Sequence, residues 1–476
     1  MSRVLLLTTE PLPVGGLPAT GAGLRAWGLA RGLRQAGLDV QLLMPARAAA
    51  TFAPAAAEPK GSGGWPEWVG TFERANIAAA LAEHDPDVIV LQHWGLARDL
   101  GEPDRPLAID LAGPHLLERT YWGSTTHEAD LEEKLAALRR ADFLTASGER
   151  QRLYFLPYLA LAGWPVAATD VLPVIPFSFE PLMDRPRVRP DRLIYGGFFL
   201  PWQDPTRALE TALDALDATG RGELLFVGGA HPTFDVSRGQ FEALLDRLGR
   251  HPRVRLVPAM GFEAYARLLA EGGVALDLLA RNPEREIAFT TRTVVYLAAG
   301  LPVIHNHYSE LGALIARAGA GWALDPDDAE GLGALLRRVL SGEEPIATRA
   351  EAALEVVRGE LNWERTIEPL ARFCRAPAVR ADKQAARLAF EERHRHLRRL
   401  EGELAETRGR LETLLGKCWV RWGLAATAGD TWLRWPLAVL AGVVGLALIP
   451  IFVVNELIGR AFTSRVAREP GEDGGK

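Results

Sequence analysis

The chain has 476 residues, 48% of them hydrophobic and 24% charged, which requires two or three folding units of ordinary globular composition. Its 54 basic and 60 acidic side chains leave a net charge of −6, which excludes a global basic field for nucleic acid. The two cysteines, Cys374 and Cys418, exclude a disulfide framework and a cysteine-based zinc site.

The start, Val4 to Leu7, is too short for a signal-peptide core and reads as a first buried strand, which places the body of the protein in the cytoplasm. Gly15-Gly16 and Gly21-Ala22-Gly23 follow, then a helix from about Leu24 to Ala36 closed by Gly37, then a strand over Val40 to Leu43. The Ala-, Pro- and Gly-rich stretch 48–64 reads as a surface loop. Asp87 to Leu91 and Leu107 to Leu111 are further apolar runs. Apolar runs alternating with helices predict a parallel sheet covered on both faces. Residues 181–192 read as a hinge between a first Rossmann-like domain, 1–182, and a second, 190–375. Strands of the second are expected near Leu193 to Tyr195, Leu224 to Val227, Val254 to Val257, Val274 to Leu278 and Pro302 to His305. The fold class is therefore α/β, with two doubly wound domains facing a cleft.

Beyond these domains the pattern changes. Phe390, Leu397, Leu404 and Leu411 are spaced by seven, with Leu400, Thr407 and Leu414 interleaved. That is a heptad seam over 378–416, fitting a homodimeric coiled coil or a solitary amphipathic helix. No charge occurs from Trp435 to Asn455. At about 1.5 Å per residue such a segment covers roughly the 30 Å of a bilayer core. Trp419, Trp422, Trp432 and Trp435 crowd its amino-terminal side, as at a membrane interface. The segment 435–457 is thus expected to hold the protein at a membrane, by spanning or by folding back at Pro450, with 460–476 as a polar tail.

In open parallel sheets ligands bind beyond the carboxyl ends of the strands. Three clusters fall there. Gly15, Gly16, Gly21 and Gly23 with Arg25 suit a pyrophosphate at a helix amino terminus. Asp110 and His115 flank a Gly-Pro turn where polar groups can orient hydroxyls or an acceptor, and His93 is a lesser candidate. The third cluster is the run from Arg281 through Glu286, Thr290, Thr291 and Arg292 to Gly300-Leu301-Pro302-Val303-Ile304.

With Gly37-Leu38-Asp39-Val40, Asp85-Pro86-Asp87-Val88, Ala146-Ser147-Gly148-Glu149-Arg150, Val174-Ile175-Pro176-Phe177, Gly319-Ala320-Gly321-Trp322 and Asn362-Trp363 in order, this run resembles the retaining glycosyltransferases of family four (GT-B fold, glycosyl transferases group 1) over about residues 3 to 375. The resemblance implies transfer of a sugar from a nucleotide-sugar donor with retention and without a bound metal. It implies Glu286 near the donor sugar, and Thr290, Thr291 and Arg292 on the diphosphate, where a guanidinium binds in bidentate fashion. With the apolar segment, it implies a lipid-linked or surface-polysaccharide acceptor at the membrane.

Two departures stand out. Val295 occupies the place of a second Glu expected on the ribose, and no basic pair follows the first strand of the second domain, Arg207 being the nearest cation. They motivate the alternative of a catalytically silent GT-B-like scaffold in a membrane glycan-assembly complex. The pairs Asp85/Asp87 and Asp325/Asp327 open a strand and sit in a turn, and are read as incidental rather than metal-binding. A dinucleotide oxidoreductase is disfavoured because the nearest acid, Asp39, precedes the strand it should follow. The region Ala259 to Phe262 is the candidate neighbour of the nucleotide base.

Overall fold

The computed structural model describes residues 2–52, 65–101, 105–168, 170–229, 239–381, 383–416 and 443. Two compact units divide it, Met1–Arg387 and Leu388–Lys476.

The first unit holds both sheets. Strands β1 (Arg3–Leu7), β2 (Asp39–Pro45), β3 (Val69–Phe72), β4 (Val88–Leu91), β5 (Leu107–Leu111) and β6 (Phe143–Ala146) lie in the order β3-β2-β1-β4-β5-β6. Every pairing is parallel; Val4, for example, stands beside Val40 on one side and Val88 on the other. Both faces are helix-covered, so central residues such as Leu5, Leu6, Val90 and Ile89 are fully buried, which is why these strands are continuous apolar runs. Strands β7 (Arg192–Phe198), β8 (Glu223–Gly229), β9 (Val254–Val257), β10 (Val274–Asp277), β11 (Val303–Asn306) and β12 (Gly321–Leu324) repeat the same arrangement, in the order β12-β11-β10-β7-β8-β9. In each sheet the strand order reverses beside the domain's own first strand, and a crevice opens there at the carboxyl ends.

The helix Gly21–Gln35 follows β1. Thr20 caps it, its hydroxyl accepting from the Gly23 amide at 3.2 Å. Gly23 is needed because a Cβ there would stand 1.9 Å from the Pro11 carbonyl oxygen. The chain finally returns to the first sheet. Trp363 packs on Gly28 and beneath Arg25, the Phe373 ring stacks on Phe143 at 4.7 Å, and Arg375 donates to the Ala36 carbonyl at 3.2 Å. A buried tail of this kind fixes the position of the first helix, and with it Arg25.

The helix Lys383–Gly416 opens with Lys383 on the Asp142 carboxylate at 2.7 Å. In the second unit this helix exposes Leu397, Leu400, Leu404 and Leu411, Leu404 to 70%, and carries Arg399–Glu403, Arg408–Glu412 and Arg410–Glu406 pairs along its length. Among the described residues no helix is long and apolar enough to cross a membrane. The expected membrane segment and polar tail lie, apart from residue 443, outside the described residues.

Candidate active site

A cleft of about 710 Å³ runs between the carboxyl ends of the two sheets. One end is built from the helix Thr291–Ala298, β7 and the start of the first helix. Arg25 is fully buried and makes a bidentate pair with Asp110, Nε donating to Oδ2 at 3.0 Å and Nη2 to Oδ1 at 2.8 Å. Thr145 also donates to that carboxylate, at 2.7 Å. Two of the three guanidinium nitrogens are thereby used. The third, Nη1, is buried without a partner, and Arg25 lines the cleft. Asp110 does not line it: the carboxylate that the sequence marks as catalytic is committed to holding Arg25.

Arg292 is the counterpart from the second domain. Its Nη1 donates to Asp277 at 3.3 Å and its Nη2 to the Gln203 side chain at 2.9 Å. Burial opposes its charge, yet the groups around it, Tyr195 and Asp277 foremost, hold its pKa above the ordinary arginine value. Asp277 closes β10, receives the Thr293 hydroxyl and has His305 at 3.6 Å. Burial raises its pKa, but Arg292 and His305 outweigh this and keep it low. The Arg292 guanidinium lies over Gly197 at φ 145°, where a Cβ would sit 2.6 Å from Nη2. A cation therefore does reach the loop beyond β7 that lacks a basic pair of its own, delivered from the helix. Arg207 does not: it is on the surface, paired with Asp327 at 2.8 Å.

Thr290 holds the N-cap position of this helix without a capping bond, and its hydroxyl is buried without a partner. Thr291 stands against Gly21. Both threonines and Gly21 line the cleft, whereas Gly15, Gly16 and Gly23 do not. Gly16 turns instead toward Gly261, and the Phe262 amide donates to the Leu17 carbonyl at 3.1 Å. The glycine loop is thus partly a joint between the domains. Glu286 lies outside the lining and pairs with Arg281 at 2.8 Å. The carboxylate of this segment that does line the cleft is Glu284, buried against Arg285, whose Nη2 donates to it at 2.6 Å; burial raises its pKa. The five-residue helix Pro283–Ile287 brings 284 inward and leaves 286 on the opposite side. Val295 is apolar, buried and in the lining.

The opposite end is aromatic. His115 opens the helix His115–Tyr121 and meets His93, Trp94 and Trp122 edge-on at 5.2, 5.6 and 6.1 Å. Burial, then the charges of His115, Lys134 and Arg74, push the His93 pKa down to about 3. His93 is therefore neutral, and its Nδ1 accepts from the Gly95 amide at 3.0 Å, leaving the proton on Nε2. Trp122 stacks on Trp202 of the second domain, with centroids 6.2 Å apart. Between the two ends Glu10 faces the cleft. Burial raises its pKa to about 7 against the opposing Thr20 hydrogen bond, so it exchanges a proton near neutrality.

A tether closes the wall. The Glu310 carboxylate accepts from the Glu149 and Arg150 amides at 2.9 and 3.1 Å, capping the helix Glu149–Leu161 across the domain boundary. Arg150 returns a bond to the Glu286 carbonyl at 2.8 Å. Among the described residues no group of His, Cys, Asp and Glu is arranged to hold a metal ion. Asp85 and Asp87 are engaged with Arg3, and Asp327 with Arg207.

Two six-stranded parallel sheets of one topology, facing across a cleft, define the class: this is the fold of the two-domain, GT-B-type glycosyltransferases. No family model matches the sequence, and no curated protein matches it. Among solved structures it is similar to sucrose-phosphate synthase from Thermosynechococcus elongatus (TM-score 0.59, 17% identity, covering 79% of this chain and 98% of that one). It is also similar to HepE from Anabaena in complex with UDP (TM-score 0.55, 16% identity, 79% and 100%). A third is WaaG, a glycosyltransferase involved in lipopolysaccharide biosynthesis (TM-score 0.51, 16% identity, 78% and 100%). At these identities the likeness establishes the fold.

Proposed function

We propose that the protein is a retaining, metal-independent glycosyltransferase that moves a sugar from a nucleotide-sugar to a lipid-linked or polysaccharide acceptor at a membrane. One observation carries the reading. An unpartnered Arg25 nitrogen, the Arg292 guanidinium, the unpartnered Thr290 hydroxyl and a helix amino terminus all belong to the lining of one cleft. These groups are donors or positive, and a diphosphate is the ligand that satisfies them together.

The roles follow from position. Arg292 and Thr290 hold the diphosphate and stabilise the charge it gains as the glycosidic bond breaks. Asp110 acts through Arg25, holding the guanidinium in place, as Asp277 does for Arg292. Glu284, which lines the cleft where Glu286 does not, is assigned to the donor sugar. His115 orients the acceptor. Guanidinium groups supply the charge that a metal supplies elsewhere, which supports the metal-free assignment. UDP bound to HepE supports a uridine nucleotide. The membrane assignment is supported by the charge-free 435–455 run. In this reading the catalytic domains face the cytoplasm and a second copy pairs along the helix Lys383–Gly416.

The test is release of nucleoside diphosphate by the full chain from a panel of UDP-, GDP- and TDP-sugars, with and without acceptor extract. Acceptor-stimulated release from one donor is expected; no release from any donor removes the reading. Val295, apolar where a ribose carboxylate is expected, favours the second reading of a silent scaffold, which predicts nucleotide binding without turnover or no binding at all.

A further inference from the structure

The aromatic end of the cleft differs in charge from the end assigned to the diphosphate. Three guanidinium groups line it, and each is already neutralised by a neighbouring acid. Arg119 Nε meets Asp130 at 2.7 Å, Arg98 Nη1 meets Glu133 at 2.9 Å, and Arg74 Nε meets Asp99 at 2.5 Å. Glu118 adds a further carboxylate beside His115, at 3.7 Å. These carboxylates outnumber the three guanidinium groups. An incoming phosphomonoester would meet more negative than positive charge, and would have to break an existing pair to gain a partner.

Apart from Arg285 Nη1, whose guanidinium is paired with Glu284, the unsatisfied donors of this end are of another kind. The indole nitrogens of Trp94 and Trp202 are buried without an acceptor, and both residues line the cleft. An indole N–H is a donor only, and the hydroxyl and ring oxygens of a sugar can accept from it. The Trp202 ring also carries Trp122 at 6.2 Å and Tyr121 at 6.5 Å, so aromatic faces from both domains meet there. A flat apolar face beside an N–H donor fits a pyranose, whose ring C–H face is apolar and whose rim is hydroxylated.

We propose that this end takes the acceptor as an uncharged pyranose, packed on the Trp202 and Trp122 faces and hydrogen-bonded by the Trp94 and Trp202 indoles, and discriminates against phosphorylated sugars. The proposal rests on the glycosyltransferase reading above. In the transfer, one acceptor hydroxyl oxygen bonds to the donor's anomeric carbon as the bond from that carbon to the diphosphate oxygen breaks. The hydroxyl proton leaves with the diphosphate.

The experiment uses the full chain saturated with UDP and follows tryptophan fluorescence. Methyl glycosides of glucose, galactose and mannose are titrated beside the corresponding sugar 6-phosphates. At least one neutral glycoside is expected to bind more tightly than its phosphate by about tenfold. Trp202→Phe, which keeps a ring and removes the N–H, is expected to weaken that glycoside while UDP still binds. Asp130→Asn, which frees Arg119, is expected to raise affinity for the phosphate. If no neutral glycoside binds more tightly than its 6-phosphate, or Trp202→Phe leaves its affinity unchanged, the proposal is overturned. Failure of UDP itself to bind would instead count against the glycosyltransferase reading.

Discussion

The two ends of the cleft handle charge in opposite ways. At one end Arg25 and Arg292 are each held by a single buried carboxylate, Asp110 and Asp277, and donor groups are left over. At the other, Arg74, Arg98 and Arg119 are partly exposed and absorbed by nearby acids, and the indoles of Trp94 and Trp202 are left unsatisfied. A buried pair costs desolvation whether or not a ligand comes. Holding two of them beside one helix amino terminus is understandable as preorganisation for an anion. The Arg74, Arg98 and Arg119 pairs of the aromatic end are more exposed and carry less of that cost.

The largest expected effect breaks the first pair. Arg25→Met strands a buried Asp110 and should cost about 3–5 kcal/mol of unfolding free energy, read by denaturant titration. Adding Asp110→Leu should recover most of the stability without restoring UDP binding, which separates the structural role of the pair from its role in anion binding.

Lys134 provides the next contrast, a buried cation with no carboxylate bonded to it. Its ammonium lies 3.9 Å from the Tyr158 ring centroid and 4.6 Å from that of Phe155, and has no hydrogen-bond partner. Burial lowers its pKa to about 7, with Glu118 opposing. Between about pH 7 and the ordinary lysine value the unfolded chain carries a proton that the folded chain has shed, so stability rises with pH across that window. Lys134→Met should therefore stabilise the fold by roughly 1–3 kcal/mol below neutrality. The gain should fade as pH approaches the ordinary lysine value; a gain independent of pH would show that packing, not charge, sets it.

Val295→Glu sharpens the anionic end. A carboxylate there should raise nucleotide affinity about tenfold if ribose hydroxyls lie against it. It should also lower the Tm of the free protein, because the site is buried. The smallest effect concerns the second unit. Leu404→Glu should leave the unfolding of the first unit within about 0.5 kcal/mol, while reducing any self-association measured by analytical ultracentrifugation.

Much of the architecture was legible because central strands are buried on both faces. Leu107 to Leu111 and Val254 to Val257 have the expected bounds, and β1, β2, β4, β7, β8, β10 and β11 lie within a few residues of theirs. The strands that escaped notice are β3, β6 and β12, all at sheet edges. Partial exposure breaks the apolar runs of β3 and β12, whereas β9, the remaining edge strand, keeps a legible one. In β3 only Val69 and Phe72 are buried, and in β12 Trp322, Ala323 and Leu324 are half-buried. Of the residues singled out from the sequence, Arg25, Arg292, Thr290, Thr291, Gly21 and His115 line the cleft. Asp277 was missed, although a lone acid closing an apolar strand is the signal that singled out Asp110. Trp94, Trp122 and Trp202 were missed because the wall they form is assembled from three separate segments of two domains. The exchange of Glu286 for Glu284 depends on the phase of one short helix turn, which spacing alone does not fix.

The central claim is that the cleft is built around a diphosphate, and the most direct measurement is thermal stabilisation of the full chain by UDP, GDP, TDP and uridine. Ligand binding to the folded state alone adds about 2.7 kcal/mol at a hundredfold excess over Kd. The account predicts a clear shift with at least one nucleoside diphosphate, none with uridine at the same concentration, and a reduced shift in Arg292→Lys. No shift with any diphosphate from a folded chain, or a shift with uridine equal to that with UDP, would contradict it.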